Sequence, residues 1–454
     1  MDPSRATDDR PASPREIFLE GLIASGRAGS PRAIAISAPR GWGKGRLLEA
    51  ACERLSGGAL LIARLDFGRS VTNPDEFSGA LAAALLGAAL PDEAAPAPPG
   101  PTGRPAPAAR LRALIASPGI SELLHAAPVA EAIVAELAHR HGDGRAAVAL
   151  TLDLAEAITR DRRAPLLIAA RHFDEFARLT PFPGLGAAPR LLALWLARRT
   201  SVRLLAATSP SGRPRHLLDA MSGAMGSDFE TRAVPPLCLA EVAEAAGISG
   251  EDAAPLLALT AGRPMPVAIL GSRMRAGATL EEALDRETGP DTGRLFHELR
   301  FDYVQLLERT RGHGASRAIL NTLAREEGLD LSGIARRLRR TVGSTLDYLR
   351  WLLEVELLRR DGRRYFFADP LLRLHVLMHE APEAPDASSG RRALIVRFLG
   401  SLGADPIPLR PRGRPPGRLT DPARSRERRP RADRGRTPDK SDPPSRRDGM
   451  IEID

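Results

Sequence analysis

The sequence predicts an α/β fold in which a mostly parallel sheet, covered by helices on both faces, precedes an all-helical segment and a winged helix-turn-helix. Three observations lead there. Up to about residue 237, short unbroken apolar runs alternate with helical periodicity, the pattern of strands buried on both faces and joined by right-handed crossovers. From there until about residue 357 only helical patterns appear. Within residues 316–370, three helices precede a two-stranded hairpin around Asp361-Gly362, the order of a winged helix.

Each element has a local reason. Residues 1–12 are polar and expected to be disordered. Ser13-Pro14-Arg15-Glu16 is a capping box with Pro at the first helical position, opening a helix to about Ser25. "AIAIS", 33–37, is a strand, "GKGRLLEAACERL" the helix after it, and "ALLIARLDFG", 59–68, the second strand. Asn73-Pro74-Asp75-Glu76 caps a helix to about Leu90. Residues 91–108 are a Pro/Ala-rich linker, and helical patterns run from about 109 to 160. "APLLIAA", 164–170, and "SVRLLAATS", 201–209, are the third and fourth strands, with "RAVPPL" near 235 the expected fifth. Helices fill 239–247, 251–261, 264–275 and 279–286.

At 454 residues the chain exceeds what one core supports, so several domains are expected. The divisions follow the patterns: an α/β domain at 13–237, a helical lid at 238–300, a winged helix at 301–380, a short apolar segment and linker at 381–407, and a basic disordered tail at 408–454.

Most of the formal charge of +9 belongs to that tail. From Pro408 onward there are 14 Lys+Arg against 8 Asp+Glu, a net of +6 that leaves +3 for everything before it. No apolar stretch is long enough to cross a bilayer and the N-terminus lacks the apolar run of a signal peptide, so a cytoplasmic protein is expected. Cys52 and Cys238 have no zinc spacing, and His172, His216 and His313 are scattered without a Ser or Cys partner, which argues against a zinc site or nucleophilic catalysis.

The informative stretch is "APRGWGKG", Ala38–Gly45, between the first strand and its helix. It follows the phosphate-loop pattern GxxxxGK[ST] with Ala38 for the first Gly and Gly45 for the Ser/Thr. In such a loop, backbone N–H groups wrap phosphates, the helix N-terminus adds positive potential, and the Lys reaches the outer phosphates. Of 65 basic residues only Lys44 and Lys440 are lysine, and Lys44 sits where a compact ammonium suits phosphate best. The nucleotide-binding candidates are Ala38, Pro39, Arg40, Gly41, Trp42, Gly43, Lys44, Gly45 and Arg46. The plainer reading is a Gly-rich strand-to-helix turn that carries a lysine.

Gly45 lacks the hydroxyl that would hold Mg²⁺, and the partner carboxylate is expected at the end of a neighbouring strand. In "APLLIAARHFDEFARL" two registers are open: the strand ends at Asp174-Glu175, or at Ala170 with Arg171 in the ligand position. The second keeps Arg171 and His172 out of the covered sheet, and it removes both magnesium ligands together. Arg171 then lies against phosphates or pairs with Glu175 on the surface. Asp174 and Glu175 remain the catalytic candidates.

In the winged helix, the recognition helix is expected from Ser344, offering Ser344, Thr345, Tyr348 and Arg350, with Arg363 and Arg364 on the wing. These are possible DNA contacts, although Asp347 and Glu354 suit a major groove poorly. The tail could bind nucleic acid through counterion release.

With loop, strand and winged helix in this order, residues 14 to about 376 resemble the prokaryotic STAND/AAA+-type P-loop ATPases, in particular the archaeal-type ATPase family. "APRGWGKG" and "LLIAARHFDEF" are similar to that family's loop and acidic strand, with degenerate Walker motifs. Thr208 or Ser209 matches its fourth-strand polar residue, Gly262-Arg263-Pro264 its lid turn, and Asp369-Pro370 a terminal DP motif. The resemblance implies an ATP- or ADP-responsive switch in which nucleotide closes lid and winged helix on the sheet. Gly45 and Arg171 argue for slow or absent hydrolysis and leave Mg²⁺ open. The alternatives are a DNA-binding or scaffold protein with a non-binding loop, and an active ATPase with replaced magnesium ligands. A protein partner or self-association is compatible with each.

Overall fold

The computed structural model describes residues 12–70, 73–90, 106–139, 144–209, 214–290, 293–381, 384 and 388–402. The expected polar N-terminus apart from Ala12, most of the 91–108 linker, and the 408–454 tail lie outside the described residues.

The chain opens with α1 (Pro14–Ala28), β1 (Ala33–Ser37), α2 (Lys44–Leu55) and β2 (Leu61–Asp66). A helical turn, α3 (Phe67–Ser70), then leads to α4 (Pro74–Ala89), α5 (Pro107–Ile115), α6 (Ala126–Ala138) and α7 (Gly144–Arg162). β3 (Leu166–Arg171), α8 (Ala188–Arg198), β4 (Val202–Thr208), α9 (Pro214–Met225) and β5 (Phe229–Ala233) complete the α/β part. Its five strands are all parallel, in the order β2-β3-β4-β1-β5.

Central strands are apolar throughout because both faces are covered. β1 is wholly buried and β3 is buried up to Ala170. Alternate residues feed two cores: Leu166, Ile168, Ala170, Leu204 and Ala206 pack with α4 to α9. Leu167, Ala169, Leu205 and Ala207 pack with α1 and α2. The outer strands β2 and β5 carry Arg64, Glu230 and Arg232, charges that suit a sheet edge. β5 is Phe229–Ala233, ahead of the expected "RAVPPL": Pro235 and Pro236 have no N–H to give to a ladder, so pairing stops at the Val234 bond to Ser37.

Helices α10 (Leu239–Ala246), α11 (Gly250–Thr260), α12 (Pro264–Arg275), α13 (Leu280–Thr288) and α14 (Arg294–Glu308) follow. Then come α15 (His313–Arg325), β6 (Leu329–Asp330), α16 (Leu331–Arg337), α17 (Val342–Glu354), β7 (Leu358–Asp361) and β8 (Arg364–Phe367). The expected helices and hairpin are thus present, and the two-residue β6 adds an antiparallel third strand beside β8. The chain continues through α18 (Pro370–His375) to α19 (Ser388–Ser401). One apolar core runs through all of this, from Leu237 to Phe398, and α14 supplies Leu295, Leu299, Tyr303 and Leu307 to it. Among the described residues no helix is long and apolar enough to cross a membrane.

Candidate functional site

The strand registers bring five strand ends to one edge of the sheet. Ser37 lies beside Thr208 and Ala233, and Asp66 beside Arg171. The loop leaves β1 here. Ala38 is buried and its N–H extends the ladder to Thr208 O at 3.3 Å, so a Cβ is accommodated where the usual pattern has Gly. Gly41 and Gly43 both take left-handed backbone, with φ of 79° and 77°. Gly43 is the N-cap of α2 and contributes no side-chain cap, leaving the first N–H groups of the helix for water or a ligand.

Lys44 turns back under the loop. Its Nζ donates to Ala38 O at 3.0 Å, Pro39 O at 3.3 Å and Ser209 Oγ at 3.4 Å. Burial pushes its pKa below the ordinary lysine value, opposed by Asp174 and Asp302 and assisted by Arg40.

The lid turn sits directly on the loop. Met265 N–H donates to Gly41 O at 3.3 Å, and Arg263 Nη2 to Arg40 O at 3.4 Å. Ala261 takes the left-handed cap of α11 and Gly262 continues with φ 70°, so the left-handed corner spans two residues. From the other side, Arg15 of α1 donates to Trp42 O at 2.9 Å and Pro235 O at 3.0 Å. Arg40 reaches Glu298 at 3.1 Å and Asp302 at 3.9 Å on α14, and covers the Phe301 ring at 4.3 Å. Arg263 is itself buried between Asp302, at 3.4 Å, and Asp369, which it bonds through Nη1. Burial lowers the pKa of Arg263 and raises that of Asp302, and each is opposed by the other's charge.

The end of β3 resolves the open register. The strand closes at Arg171, and Asp174 and Glu175 fall in the following 3₁₀ turn, Phe173–Leu179. Arg171 pairs with Glu49 of α2 at 3.5 Å, while Glu175 is held by Arg178, so the Arg171–Glu175 surface pair is not formed. The Arg171 guanidinium lies against Gly45: a Cβ there would be 3.1 Å from Nη2 and 3.3 Å from Nε. One strand further out, His172 Nδ1 is 2.8 Å from Asp66 Oδ1, and that bond holds the Asp66 carboxyl below its usual value.

No protein-family model matches the sequence, and no curated protein matches it. Among solved structures the chain is similar to the Walker-type ATPase PABY2304 of Pyrococcus abyssi, with TM-score 0.53 and 14% identity over 81% of this chain and 99% of that one. The chain has a P-loop AAA+ ATPase fold. Weaker likenesses join it to the ORC2 protein of Aeropyrum pernix. Its ADPNP–ADP complexes give TM-score 0.45, 12% identity, and 87% and 96% coverage of the two chains. Its ADP form gives 0.38, 11%, 85% and 93%.

On this frame the loop residues, Lys44, Ser209 and the Gly262-Arg263-Pro264 turn come together. Thr208 is fully buried at the end of β4, and Arg46 is exposed on the first turn of α2. Asp174 is near enough to act on the Lys44 charge, and its Oδ1 is buried without a hydrogen-bond partner. In α17, the helix expected to be the recognition helix, Thr345 is a correction: it is fully buried and donates to Thr341 O at 2.9 Å, so it faces the core and not a groove. The helix also starts earlier than expected, at Val342 with Thr341 as cap, and the Thr341 hydroxyl accepts from Ser344 N–H at 3.3 Å. Tyr348 is half-buried with its ring on Trp351, and Arg350 pairs with Asp347. Arg363 and Arg364 are exposed.

Arg15, Met265, Glu298 and Asp302 escaped sequence reasoning. Only Glu298 and Asp302 carried a signal, a carboxylate pair at i, i+4 on one face of α14. Among the described residues no group of three or more His, Cys, Asp or Glu side chains is placed to hold a metal.

Proposed function

We propose that this chain is a nucleotide-responsive regulatory switch, cytoplasmic and STAND-like, that binds ATP or ADP at Ala38–Arg46 and hydrolyses it slowly or not at all. The observation that carries the reading is the Lys44 ammonium, held at 3.0 Å and 3.3 Å by two carbonyls of its own loop beneath two left-handed glycines. A phosphate entering the loop offers this buried cation a better partner than neutral carbonyls. It also competes for the space that the lid turn covers. Binding is thereby linked to the lid and to α14 through Arg40 and Arg263. Slow turnover follows from Gly45, which has no hydroxyl, and from Glu175, which is engaged with Arg178.

The reading is tested by calorimetry with ATP and with ADP. Binding to the wild type and its loss in Lys44→Ala are expected. No binding to the wild type would return the loop to a structural turn, and phosphate release well above that of Lys44→Ala would overturn the slow-hydrolysis part.

A second reading has one observation in its favour. Arg360, Arg363 and Arg364 are exposed at the hairpin of the winged-helix segment, where a wing would meet DNA phosphates. Duplex binding that weakens on Arg363→Ala and Arg364→Ala, with a shallower salt dependence, supports it. Duplex binding unchanged by both substitutions argues against this wing.

A further inference from the structure

The fold implies Mg²⁺ beside the loop, held by a hydroxyl after the loop lysine and by a carboxylate near the end of β3. The residues here do not fit that ion. Gly45 has no side chain, and the residue closing β3 is Arg171. The guanidinium fills the space a hydroxyl side chain would need, with Nη2, Nε and Cζ at 3.1, 3.3 and 3.4 Å from a Cβ placed on Gly45. Glu49, four residues after Gly45 on α2, holds the same guanidinium from Nη1 at 3.5 Å. A second positive charge, Lys44, lies one residue before Gly45. A divalent cation at this spot would face two cations and no hydroxyl, with Asp174 of the turn after β3 the carboxylate that acts on Lys44.

We infer that the loop binds its nucleotide without a divalent cation, with Arg171 supplying the charge that the metal supplies in loops of the usual pattern. This rests on the nucleotide-binding reading. Three features carry it. The arginine is tethered at one end only, by a carboxylate itself 40% exposed, so a phosphate can take it over. Its Nε is buried without a hydrogen-bond partner, a donor left unsatisfied in this arrangement. A guanidinium matches phosphate oxygens in pairs, which a bound water or lone ammonium does not. The two departures from the loop pattern then have one cause. Gly45 is what lets the guanidinium approach α2, because any side chain there would press on it.

The test titrates ATP into the full-length wild type by calorimetry, once with Mg²⁺ and once with EDTA. The dissociation constants are expected to agree within about twofold, and Arg171→Ala to weaken binding by about tenfold or more in EDTA. In the double variant Gly45→Thr with Arg171→Asp, affinity is expected to become dependent on Mg²⁺. Wild-type binding that disappears in EDTA overturns the inference while leaving nucleotide binding intact. Absence of binding under both conditions defeats the underlying reading instead. The wild-type comparison needs no variant, so it decides even if a substitution fails to fold.

Discussion

Arg263 and Asp369, 106 residues apart in the sequence, are bonded to one another with only 5% and 11% of their side chains exposed. Arg263 opens the lid helix α12, and Asp369 caps α18, its Oδ1 accepting from Leu371 N–H at 2.9 Å. The same guanidinium touches the phosphate loop through Arg40 O. A single buried cation thus joins the Ala38–Gly45 loop, the Gly262-Arg263-Pro264 turn and the start of α18.

Removing Asp369 leaves the buried Arg263 charge with Asp302 as its one remaining carboxylate. Asp369→Ala is expected to lower unfolding free energy by about 3–5 kcal/mol, the usual cost of breaking a buried ion pair. Replacing both, as Arg263→Met with Asp369→Leu, should restore part of the loss, since no buried guanidinium is then left short of a carboxylate and Asp302 keeps Arg40. Urea denaturation of the three variants measures this. A double variant no more stable than the single would mean that packing, and not charge, dominates the site.

Trp42 reports on the loop. Its carbonyl is fixed by Arg15, so nucleotide that reshapes the loop should change its emission, and Trp42→Phe should remove the change despite the two other tryptophans. Arg15→Ala is expected to alter the emission before any nucleotide is added. A nucleotide-dependent signal that survives Trp42→Phe would place the reporting group elsewhere.

Acid should weaken the helical core that runs from Leu237 to Phe398 through His375. Its ring is buried beside Phe296, Tyr303 and His379, and burial, with the nearby charges of His379 and Arg300, pushes its pKa down to about 3. The folded state therefore keeps His375 neutral at a pH where the unfolded chain, titrating near 6.5, has taken up a proton. Stability from this group is complete above pH 6.5 and is lost as pH falls towards 3, by an amount on the order of a few kcal/mol. Against wild type, His375→Leu should show a shallower decline of unfolding free energy between roughly pH 6.5 and 4.5. Equal slopes would show that His375 is protonated in the native state.

Where the sequence could be read, its signals were local. "AIAIS" and "VRLLAAT" are legible because covered strands must be apolar, and Gly41 and Gly43 because the loop needs left-handed backbone. β5 was harder: an edge strand with the pattern FETRA has one face in solvent and too little apolar content to stand out. The partner of Arg171 was not legible at all. Glu49 lies on another element, and nothing in a one-dimensional pattern distinguishes it from Glu175, which is nearer in sequence but already held by Arg178. Arg263 illustrates the same limit. As a letter between Gly262 and Pro264 it reads as a turn residue, and its burial depends on carboxylates contributed 39 and 106 residues later.

The scarcity of lysine gives the loop a chemical address. An amine-selective acylating reagent has two side chains to find in this chain, Lys44 and Lys440. Lys44, with its lowered pKa, has the larger neutral, nucleophilic fraction that its burial allows, but the lid turn and its own carbonyl contacts shield it. Its modification, read as a mass increment on the peptide containing "GWGKG", therefore reports how far the Gly262-Arg263-Pro264 turn and the loop carbonyls expose Lys44, in a mixture and without any engineered label.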